Sequence, residues 1–269
     1  MPEVAPRQLI LSLYGLYSRS QGAWLSVASL IALMAELDVD GAAVRSSVSR
    51  LKRRGVLQSV RREGRAGYAL SDEALEVLRE GDVRIWSRPR ATLDDGWLVA
   101  VFSVPETERE KRHALRSTLS RLGFGTAAPG VWVAPGTAHD ETVRALQRQG
   151  LASYTEFFRG AWLGSGDVAT RMREWWDLDQ LEKLYDDFRG AWEPALSSTG
   201  RPVPRAAFST YVPMLTSWRR LPYLDPGLPL EHLPADWAGI RAGEVFTELD
   251  ERLREPAASF ALSVVHGAS

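Results

Sequence analysis

Apolar residues recur at steps of three and four between residues 25 and 53, and they predict two short helices separated by a turn. The first row consists of Val27, Leu30, Ile31, Met34 and Leu37, and the second consists of Val44, Val48 and Leu51. Asp38–Gly41 interrupts the pattern. Asp40 is placed to cap the second helix by accepting a hydrogen bond from a backbone N–H. Gly55 predicts the end of that helix just after Arg54, because glycine readily adopts the left-handed conformation.

Two short strands are predicted next, over Val56–Val60 and Tyr68–Leu70, with the segment RREGRAG as the loop of a hairpin. Helix, turn, helix and basic hairpin is the order of a winged helix-turn-helix, whose second helix enters the major groove of DNA. We expect base contacts from Arg45, Ser46, Ser49 and Arg50. We expect phosphate contacts from Lys52, Arg53, Arg54, Arg61, Arg62 and Arg65.

The distribution of charge supports this interpretation. Eight basic residues and one acid lie between Arg45 and Arg65, whereas the whole chain of 269 residues has a formal net charge of −1. A positive field concentrated in one segment is typical of DNA binding. The alternative is a solvated basic helix beside an ordinary hairpin.

The segments that flank this module are also predicted to be helical. Leu9–Tyr17 is apolar and is predicted to pack beneath the module. Ser71 is a candidate cap for a helix that ends near Trp86, with Leu75, Leu78 and Ile85 facing inward. The polar segment Ser87–Asp95 contains a proline and predicts a domain boundary, so the first domain covers residues 1–90.

The central segment, residues 91–165, alternates between strand and helix patterns. Strands are predicted over Trp97–Val104, within Thr126–Ala134 and over Tyr154–Phe158. Helices are predicted over 106–122 and 140–149. This order favours a small α+β domain of the ferredoxin-like kind, although the pattern leaves the strand order open.

Residues 166–269 carry a helical pattern and predict a third, helical domain. The strongest amphipathic row is Trp175, Leu178, Leu181, Tyr185 and Phe188. Ser197–Pro204 is predicted to be a loop. A helix is predicted over Ala206–Trp218, which Pro213 should kink or end. The last predicted helix is Gly243–Arg254, and the tail beyond it is weakly specified.

The amino-acid composition of the chain limits the kinds of site and the classes of protein that need to be considered. The chain contains no cysteine, so it has neither a disulfide nor a thiolate metal site. The segment MPEVAPRQ lacks the basic region and the apolar run of a signal peptide, and we expect a cytoplasmic protein. The four histidines are scattered and pair with no acid at ligand spacing, so we expect neither metal nor cofactor.

Longer ordered blocks resemble a known family. DGWLVAVFSVPETEREKRHALRSTLSRLGFGTAAPGVWVAP, WWDLDQLEKLYDDF and SWRRLPYLDPGLPLEHLPADW are similar to the PaaX family of phenylacetic-acid degradation repressors, and RSSVSRLKRRGVL resembles that family's winged helix. The resemblance covers roughly Leu9 to Leu249. It implies a winged helix, a Cas2-like dimerisation domain and a helical C-terminal domain that binds an effector. It also implies a homodimer on a palindromic operator that phenylacetyl-CoA or another aryl- or acyl-CoA releases.

The Cas2 likeness raises a second hypothesis, a metal-dependent nuclease with a DNA-binding arm. That chemistry needs carboxylates placed to hold a hard cation. The Cas2 fold has a carboxylate at the end of its first strand, where this chain has Ser103 and Val104. The nearest acid is Glu106, which is better placed to open the following helix. A third hypothesis, an acyl-CoA-processing enzyme, lacks a nucleophile and base pair. We therefore expect a non-enzymatic protein.

An acyl-CoA effector needs cations for its phosphates and an aromatic slot for its acyl end. One set with that mixture is Trp218, Arg219, Arg220 and Tyr223, and a second is Arg159 and Trp162. The alternative is that these are core tryptophans with surface arginines. The resulting hypothesis is a dimeric transcriptional repressor that binds double-stranded DNA and is released by a ligand.

Overall fold

The computed structural model describes residues 4–19, 22–86, 90–164, 166–198 and 200–267. The chain forms two compact units. Unit 1 contains Met1–Trp86, Phe188–Arg219 and Arg241–Ser269, and unit 2 contains Ser87–Asp187 and Arg220–Ile240. Each unit is therefore built from segments that are distant in sequence. The division into three domains at residues 90 and 165 stays a prediction.

The N-terminal part of unit 1 combines four helices with a small antiparallel sheet. The helices are α1 (Pro6–Leu13), which continues into a π-helical turn over Tyr14–Ser18, α2 (Val27–Ala35), α3 (Gly41–Arg53) and α4 (Asp72–Trp86). The sheet has the order β1 (Trp24–Ser26), β3 (Arg65–Leu70) and β2 (Leu57–Arg62). All four predicted helices of this region are confirmed. Ser71 caps α4, because its hydroxyl accepts a hydrogen bond from Ala74 N at 3.2 Å.

The C-terminal helices of unit 1 pack on this part of the chain. They are the end of α8 (Leu178–Trp192), α9 (Pro204–Trp218) and most of α11 (Ala238–Gly267). The Thr216 hydroxyl of α9 donates to Ser12 Oγ of α1 at 2.7 Å. The ring of Phe208 lies 6.0 Å from that of Tyr17. These buried contacts fix α9 against the N-terminal helices.

Unit 2 is organised around a four-stranded antiparallel sheet. The elements follow one another as β4 (Trp97–Phe102), α5 (Arg109–Arg121), β5 (Gly125–Ala128), β6 (Val131–Pro135), α6 (His139–Arg148) and β7 (Thr155–Gly160). The strand order is β5-β6-β4-β7. This is the ferredoxin-like arrangement of two interleaved βαβ halves, in agreement with the fold expected for the central segment.

The two faces of this sheet differ. One face packs Leu98, Ala100 and Trp132 against Leu119 of α5 and Ala145 of α6. The other face presents Val101, which is 37% exposed, and Phe158, which is 60% exposed. Phe158 pairs with Val99 and Val101 pairs with Val131 across neighbouring strands, so these side chains share one face. The sheet therefore has one packed face and one partly open apolar face.

The remaining helices of unit 2 are α7 (Val168–Trp175), the start of α8, and α10 (Leu221–Leu224). Asp225, which follows α10, is buried and accepts hydrogen bonds from the Tyr185 hydroxyl at 2.7 Å and from Arg90. Asp225 also accepts from the backbone N–H of Gly227 at 2.7 Å. A buried carboxylate is stable here because three donors compensate for the loss of water.

Several predicted strand boundaries are wrong. The hairpin strands β2 and β3 extend through Arg62 and from Arg65, so RREGRAG is not a loop and the turn consists of Glu63 and Gly64 alone. The single strand predicted within Thr126–Ala134 is two strands, β5 and β6, joined by a turn at which Gly130 has φ of 79°. Both errors have the same cause. In both hairpins the two strands are neighbours along the chain, but how far they stay paired depends on register and turn geometry, which the pattern of apolar residues does not specify.

Three helical predictions also need correction. The row from Trp175 to Phe188 is divided between α7 and α8, because Trp176 is extended and Asp177 accepts from Gln180 N at 2.9 Å to cap α8. α9 does not end at Pro213; the buried side chains on both sides of this proline hold it in register. The final helix is longer than Gly243–Arg254, since Ala257 and Ala261 continue the buried row of Leu249 and Leu253.

The predicted boundary Ser87–Asp95 lies partly outside the described residues, since the description omits 87–89. The predicted loop Ser197–Pro204 likewise includes residue 199, which lies outside them. None of the helices among the described residues combines the length and the hydropathy that a membrane span requires.

Candidate nucleic-acid interface

The corner between α2 and α3 is built from local capping interactions. Ser26 caps α2 by accepting a hydrogen bond from Ser29 N at 2.9 Å. Asp38 adopts a positive φ of 58° in the turn. Asp40 accepts from Ala42 N at 2.7 Å and from Ala43 N at 2.9 Å, which confirms the predicted cap. These two hydrogen bonds lower the pKa of the Asp40 carboxyl, with a smaller contribution from the charge of Arg45.

α3 has one buried face and one exposed, basic face. Val44, Ser47, Val48 and Leu51 are buried, as the apolar spacing predicts for three of them. Seven residues of α3 and of the position that follows it are predicted to contact DNA, and all seven are exposed: Arg45, Ser46, Ser49, Arg50, Lys52, Arg53 and Arg54. A helix with this distribution can pack on the module while it presents cations and hydroxyls to a ligand.

The end of α3 fixes where the hairpin begins. Gly55 has φ of 71°. Its backbone N–H donates to Lys52 O at 2.9 Å, and the N–H of Val56 donates to Leu51 O at 3.0 Å. This pair of hydrogen bonds is the Schellman motif, and it satisfies carbonyl groups that the end of a helix leaves without partners. The predicted stop at Gly55 is therefore confirmed.

The hairpin closes through a two-residue turn. Glu63 and Gly64 have φ of 48° and 78°, and both lie between the paired residues Arg62 and Arg65. Positive φ at both central positions is the type I′ geometry, whose twist matches that of the flanking strands. Arg61, Arg62 and Arg65 consequently lie on regular strands, where alternation fixes their direction. Arg62 and Arg65 share one face of the hairpin and Arg61 lies on the other.

Trp24 supports the face that carries Arg62 and Arg65. The two guanidinium groups lie 5.7 and 5.8 Å from the centroid of the Trp24 ring, within the range of a cation–π contact. Trp24 Nε1 donates to Val60 O at 3.1 Å. Arg62 also donates to Gly22 O at 3.0 Å. Two of the basic hairpin residues are therefore held in place by the sheet itself.

Gly67 makes this arrangement possible. A Cβ atom at this position would lie 2.4 Å from atoms of the Trp24 ring and 2.4 Å from Leu25 O. The sequence pattern does not single out Trp24. The signal that could have found it is a glycine inside a strand, which marks a close approach of another group.

The basic face of α3 continues toward the sheet. Lys52 Nζ lies 5.8 Å from the centroid of the Tyr68 ring. The only acid in the segment, Glu63, lies at the tip of the hairpin, 3.8 Å from Arg65. The positive charge of the segment Arg45–Arg65 is thus nearly uncompensated by acids of the same segment. We call ten of its residues the recognition surface: Arg45, Ser46, Ser49, Arg50, Lys52, Arg53, Arg54, Arg61, Arg62 and Arg65.

The residues proposed for an effector occupy several environments. Trp218 is buried, stacks on Phe246 at 4.5 Å and donates through Nε1 to Ile85 O at 3.3 Å. Arg219 donates to Gln8 O at 3.2 Å. These two residues belong to unit 1, whereas Arg220 and Tyr223 belong to unit 2.

The second proposed set lies wholly in unit 2. Arg159 donates to Gly136 O at 2.6 Å. Trp162 packs edge-on against Trp175 at 5.4 Å. Each of these residues therefore has structural partners of its own, and the role of both sets in effector binding stays a prediction.

The end of β4 bears on the nuclease hypothesis. Ser103 and Val104 follow the strand, and Glu106 forms an ion pair with Arg112 at 3.0 Å. Within the described residues, no group of three or more histidine, aspartate or glutamate side chains is placed to hold a metal ion. The first carboxylate after β4, that of Glu106, is thus already paired with an arginine of the same chain.

Comparison with known proteins matches the chain along most of its length. The family profile described as "PaaX-like protein" matches residues 5–74. The profile of the "PaaX protein central Cas2-like domain" matches residues 90–172. The profile of the "PaaX-like protein C-terminal domain" matches residues 176–263.

Two individual proteins are similar over nearly the whole chain. The Transcriptional repressor PaaX of Escherichia coli strain K12 is 26% identical over 264 residues, which cover 96% of this chain and 83% of that protein. The solved structure of the uncharacterized protein Rv0674 from Mycobacterium tuberculosis matches with a TM-score of 0.56 and 23% identity, over 94% of this chain and 99% of the other. The second likeness concerns the fold alone.

Proposed function

Because the chain belongs to the PaaX family of transcriptional regulators, we propose that it is a repressor whose α3 binds the major groove of an operator. In this proposal, residues 1–90 form a winged helix-turn-helix. Its wing is the hairpin of β2 and β3. The carrying observation is the exposed basic face of α3, positioned by the Asp40 cap and the Gly55 stop. The relationship to a repressor supports a protein that is not an enzyme.

The roles within the recognition surface follow from their placement. Arg45, Ser46 and Ser49 lie in the N-terminal and middle turns of α3, the part of a recognition helix that contacts base edges. Arg50 lies in the last turn, four residues after Ser46, so it shares the exposed side of the helix with Ser46 and is assigned to base edges with it. Lys52, Arg53 and Arg54 lie at the C-terminal end of α3, and the hairpin arginines Arg61, Arg62 and Arg65 flank the helix. All six of these residues are assigned to phosphates. Arg62 and Arg65, held against Trp24, are pre-positioned for that contact, so less side-chain entropy is lost on binding.

A fluorescence anisotropy titration on the DNA upstream of the gene tests this proposal. We expect Arg50→Ala to weaken operator binding by about 1–3 kcal/mol and to relax specificity at one position. Arg79→Ala, an exposed arginine on α4, is the matched control and should leave the affinity unchanged. Equal losses by Arg50→Ala on operator and scrambled duplex would assign Arg50 to a phosphate instead.

The proposal includes a homodimer formed through the central domain, residues 91–165. Val101 and Phe158 lie on the partly open face of the sheet in unit 2, and an exposed apolar patch is typical of an interaction surface. A two-fold dimer would present two copies of α3 to the half-sites of a palindromic operator, about 34 Å apart. Phe158→Glu should yield a monomer in sedimentation equilibrium and weaken operator binding. Leu163→Glu, 92% exposed and outside the sheet, is the control.

We further propose that an aryl- or acyl-CoA, such as phenylacetyl-CoA, releases the dimer from DNA. The ligand can do so only if it binds the DNA-free geometry more tightly than the DNA-bound geometry. The helical C-terminal domain, residues 166–269, is the proposed effector domain, and its candidate residues are Trp218, Arg219, Arg220 and Tyr223. Arg159 and Trp162, which precede this domain, form the second candidate set. Adding CoA thioesters and their free acids to the anisotropy assay identifies the effector. An operator complex that none of them dissociates would contradict this part of the proposal.

No observation favours nuclease activity over this function. Ser103 and Val104 occupy the position where a Cas2-type carboxylate would lie, and Glu106 is paired with Arg112. We therefore do not propose a catalytic role for the central domain.

A further inference from the structure

A groove with a volume of about 690 Å³ lies in unit 2 at the end of β4. Its walls are the end of β4, one face of α5 and the turn between β5 and β6. The volume is within the range of small-molecule sites. None of the residues proposed above for an effector lines it.

Two arginines of α5 give the groove its charge. Arg112 and Arg116 are four residues apart, so they lie on the same side of the helix. Among the described residues that line the groove, there is no acid. We call this feature the Arg112–Arg116 groove.

The two arginines differ in their contacts. Arg112 donates to Val104 O at 2.7 Å and to Glu106 at 3.0 Å, so its guanidinium is held at the mouth of the groove. Arg116 is exposed, and no acid of the described residues lies within ion-pairing distance of it. One guanidinium is therefore fixed, and the other has its full charge available for an anionic ligand.

The rest of the lining suits a ligand that is both polar and planar. Ser103 and Thr126 are exposed and carry hydroxyl groups that can donate to a phosphate oxygen. Phe102 and Trp132 contribute the aromatic part of the lining. β5 is an edge strand with an irregularity between Thr126 and Ala128, so part of its backbone is open to the groove.

We propose that the Arg112–Arg116 groove binds the phosphate groups of a small molecule, with Arg116 as the main cationic contact and Phe102 beside the uncharged part of the ligand. The inference rests on the proposed function for the identity of that ligand. The CoA thioester proposed as effector carries its phosphates on its nucleotide end. The inference assigns that end to the Arg112–Arg116 groove, in place of the arginines of the two candidate sets. Arg112 positions the site as well as contributing charge.

Isothermal titration calorimetry on the full chain tests the proposal with coenzyme A, adenosine and inorganic phosphate as probes. Coenzyme A should bind more tightly than either fragment. Arg116→Gln should weaken coenzyme A binding by about tenfold or more, since it removes one charge-assisted hydrogen bond. Arg116→Lys should recover part of the affinity. Arg121→Gln, an exposed arginine of the same helix outside the groove, should bind as the wild type does.

Operator binding without ligand separates this inference from the proposed function. Arg116→Gln should bind operator normally but need about tenfold more coenzyme A thioester for release. If Arg116→Gln binds coenzyme A as tightly as the wild type does, the inference is overturned. Operator binding by the wild type in the same experiments would leave the proposed function intact. An equal loss of operator and coenzyme A affinity would also overturn the inference, because the groove would then hold the DNA backbone. Failure of the wild type to bind any operator would count against the proposed function, and calorimetry would still decide the groove.

Discussion

Gly67→Ala tests whether the hairpin depends on the close approach of Trp24. The added Cβ would lie 2.4 Å from two carbons of the Trp24 ring and 2.4 Å from Leu25 O. Nonbonded carbon atoms are at their best separation at about 3.5–4.0 Å. The ring and the neighbouring strand must therefore both move by about an ångström, and the second of these shifts involves backbone.

The expected cost follows from that overlap. Overpacking of this kind typically costs about 1–3 kcal/mol, which corresponds to a fall in Tm of roughly 2–10 °C for a chain of this size. The movement of Trp24 also removes the support of Arg62 and Arg65, which lie 5.7 and 5.8 Å from its ring. We therefore expect weaker DNA binding together with the loss of stability. The salt dependence of binding should also decrease, because fewer phosphates are neutralised.

Thermal unfolding and anisotropy on the same preparations provide the assay. Gly160→Ala is the matched control, because Gly160 is also in a strand, has no positive φ and would place its Cβ within 4 Å of no atom among the described residues. It should stay within about 0.5 kcal/mol of the wild type. A Gly67→Ala protein as stable as the Gly160→Ala control would refute the role assigned to the packing of Trp24.

Three further predictions concern capping, core and a buried carboxylate. Asp40→Ala should destabilise α3 by removing two hydrogen bonds. Because folding lowers the Asp40 pKa, this stabilisation is fully present above the unfolded-state pKa of about 3.9 and is lost as the pH falls through the folded-state value. In denaturant titrations the difference between wild type and variant should therefore be constant above about pH 5 and shrink as the pH falls below about 4. Leu33→Ala, at a fully buried position of α2, should lower the free energy of unfolding by about 2–5 kcal/mol in the same titration. Asp225→Asn should cost about 1–3 kcal/mol by weakening the hydrogen bonds from Arg90 and Tyr185, measured by thermal unfolding.

For each of these predictions there is a result that would contradict it. A constant difference between wild type and Asp40→Ala across the pH range would show that the charge of Asp40 contributes nothing to the cap. Leu93→Ala, at an exposed position, should be nearly neutral, and an equal loss at Leu33 and Leu93 would contradict the assigned core. Asp94→Asn is the exposed control for Asp225, and equal effects would mean that burial of Asp225 carries no penalty.

The helix of the recognition surface, α3, could be predicted because its determinants are local. The stripe of Val44, Val48 and Leu51, the Asp40 cap and the Gly55 stop all lie within one segment of 16 residues. Each determinant acts through neighbours at most four or five positions away. The sequence alone therefore contained the position, the limits and the exposed face of α3.

The strands were less predictable because their limits depend on pairing and register, which the pattern of apolar residues does not specify. β1 pairs with β3 across more than forty residues, and no local pattern marks Trp24–Ser26 as a strand. β5 consists of Gly125–Ala128, residues of low strand propensity that pair only because β6 lies beside them. The type I′ turn at Glu63–Gly64 was visible as a glycine signal, but its length depended on the register of the pair.

Ligand residues were the hardest to assign because core and binding sites use the same residue types. Trp218 has the composition expected of an aromatic slot, yet it stacks on Phe246 inside unit 1. Conversely, the sequence pattern gives Arg112 and Arg116 no feature that separates them from other charges on the surface of a helix. Their position in a groove depends on Phe102 and Trp132, which belong to two different strands.

The most direct test of the central claim is an anisotropy titration that compares the DNA upstream of the gene with a scrambled duplex of the same length, at several salt concentrations. The account predicts tight binding to the first duplex, weaker and more salt-dependent binding to the second, and loss of the difference when Arg45 and Arg50 are both changed to alanine. Equal binding to both duplexes by the wild type, or a difference that survives the double substitution, would contradict recognition of DNA by α3.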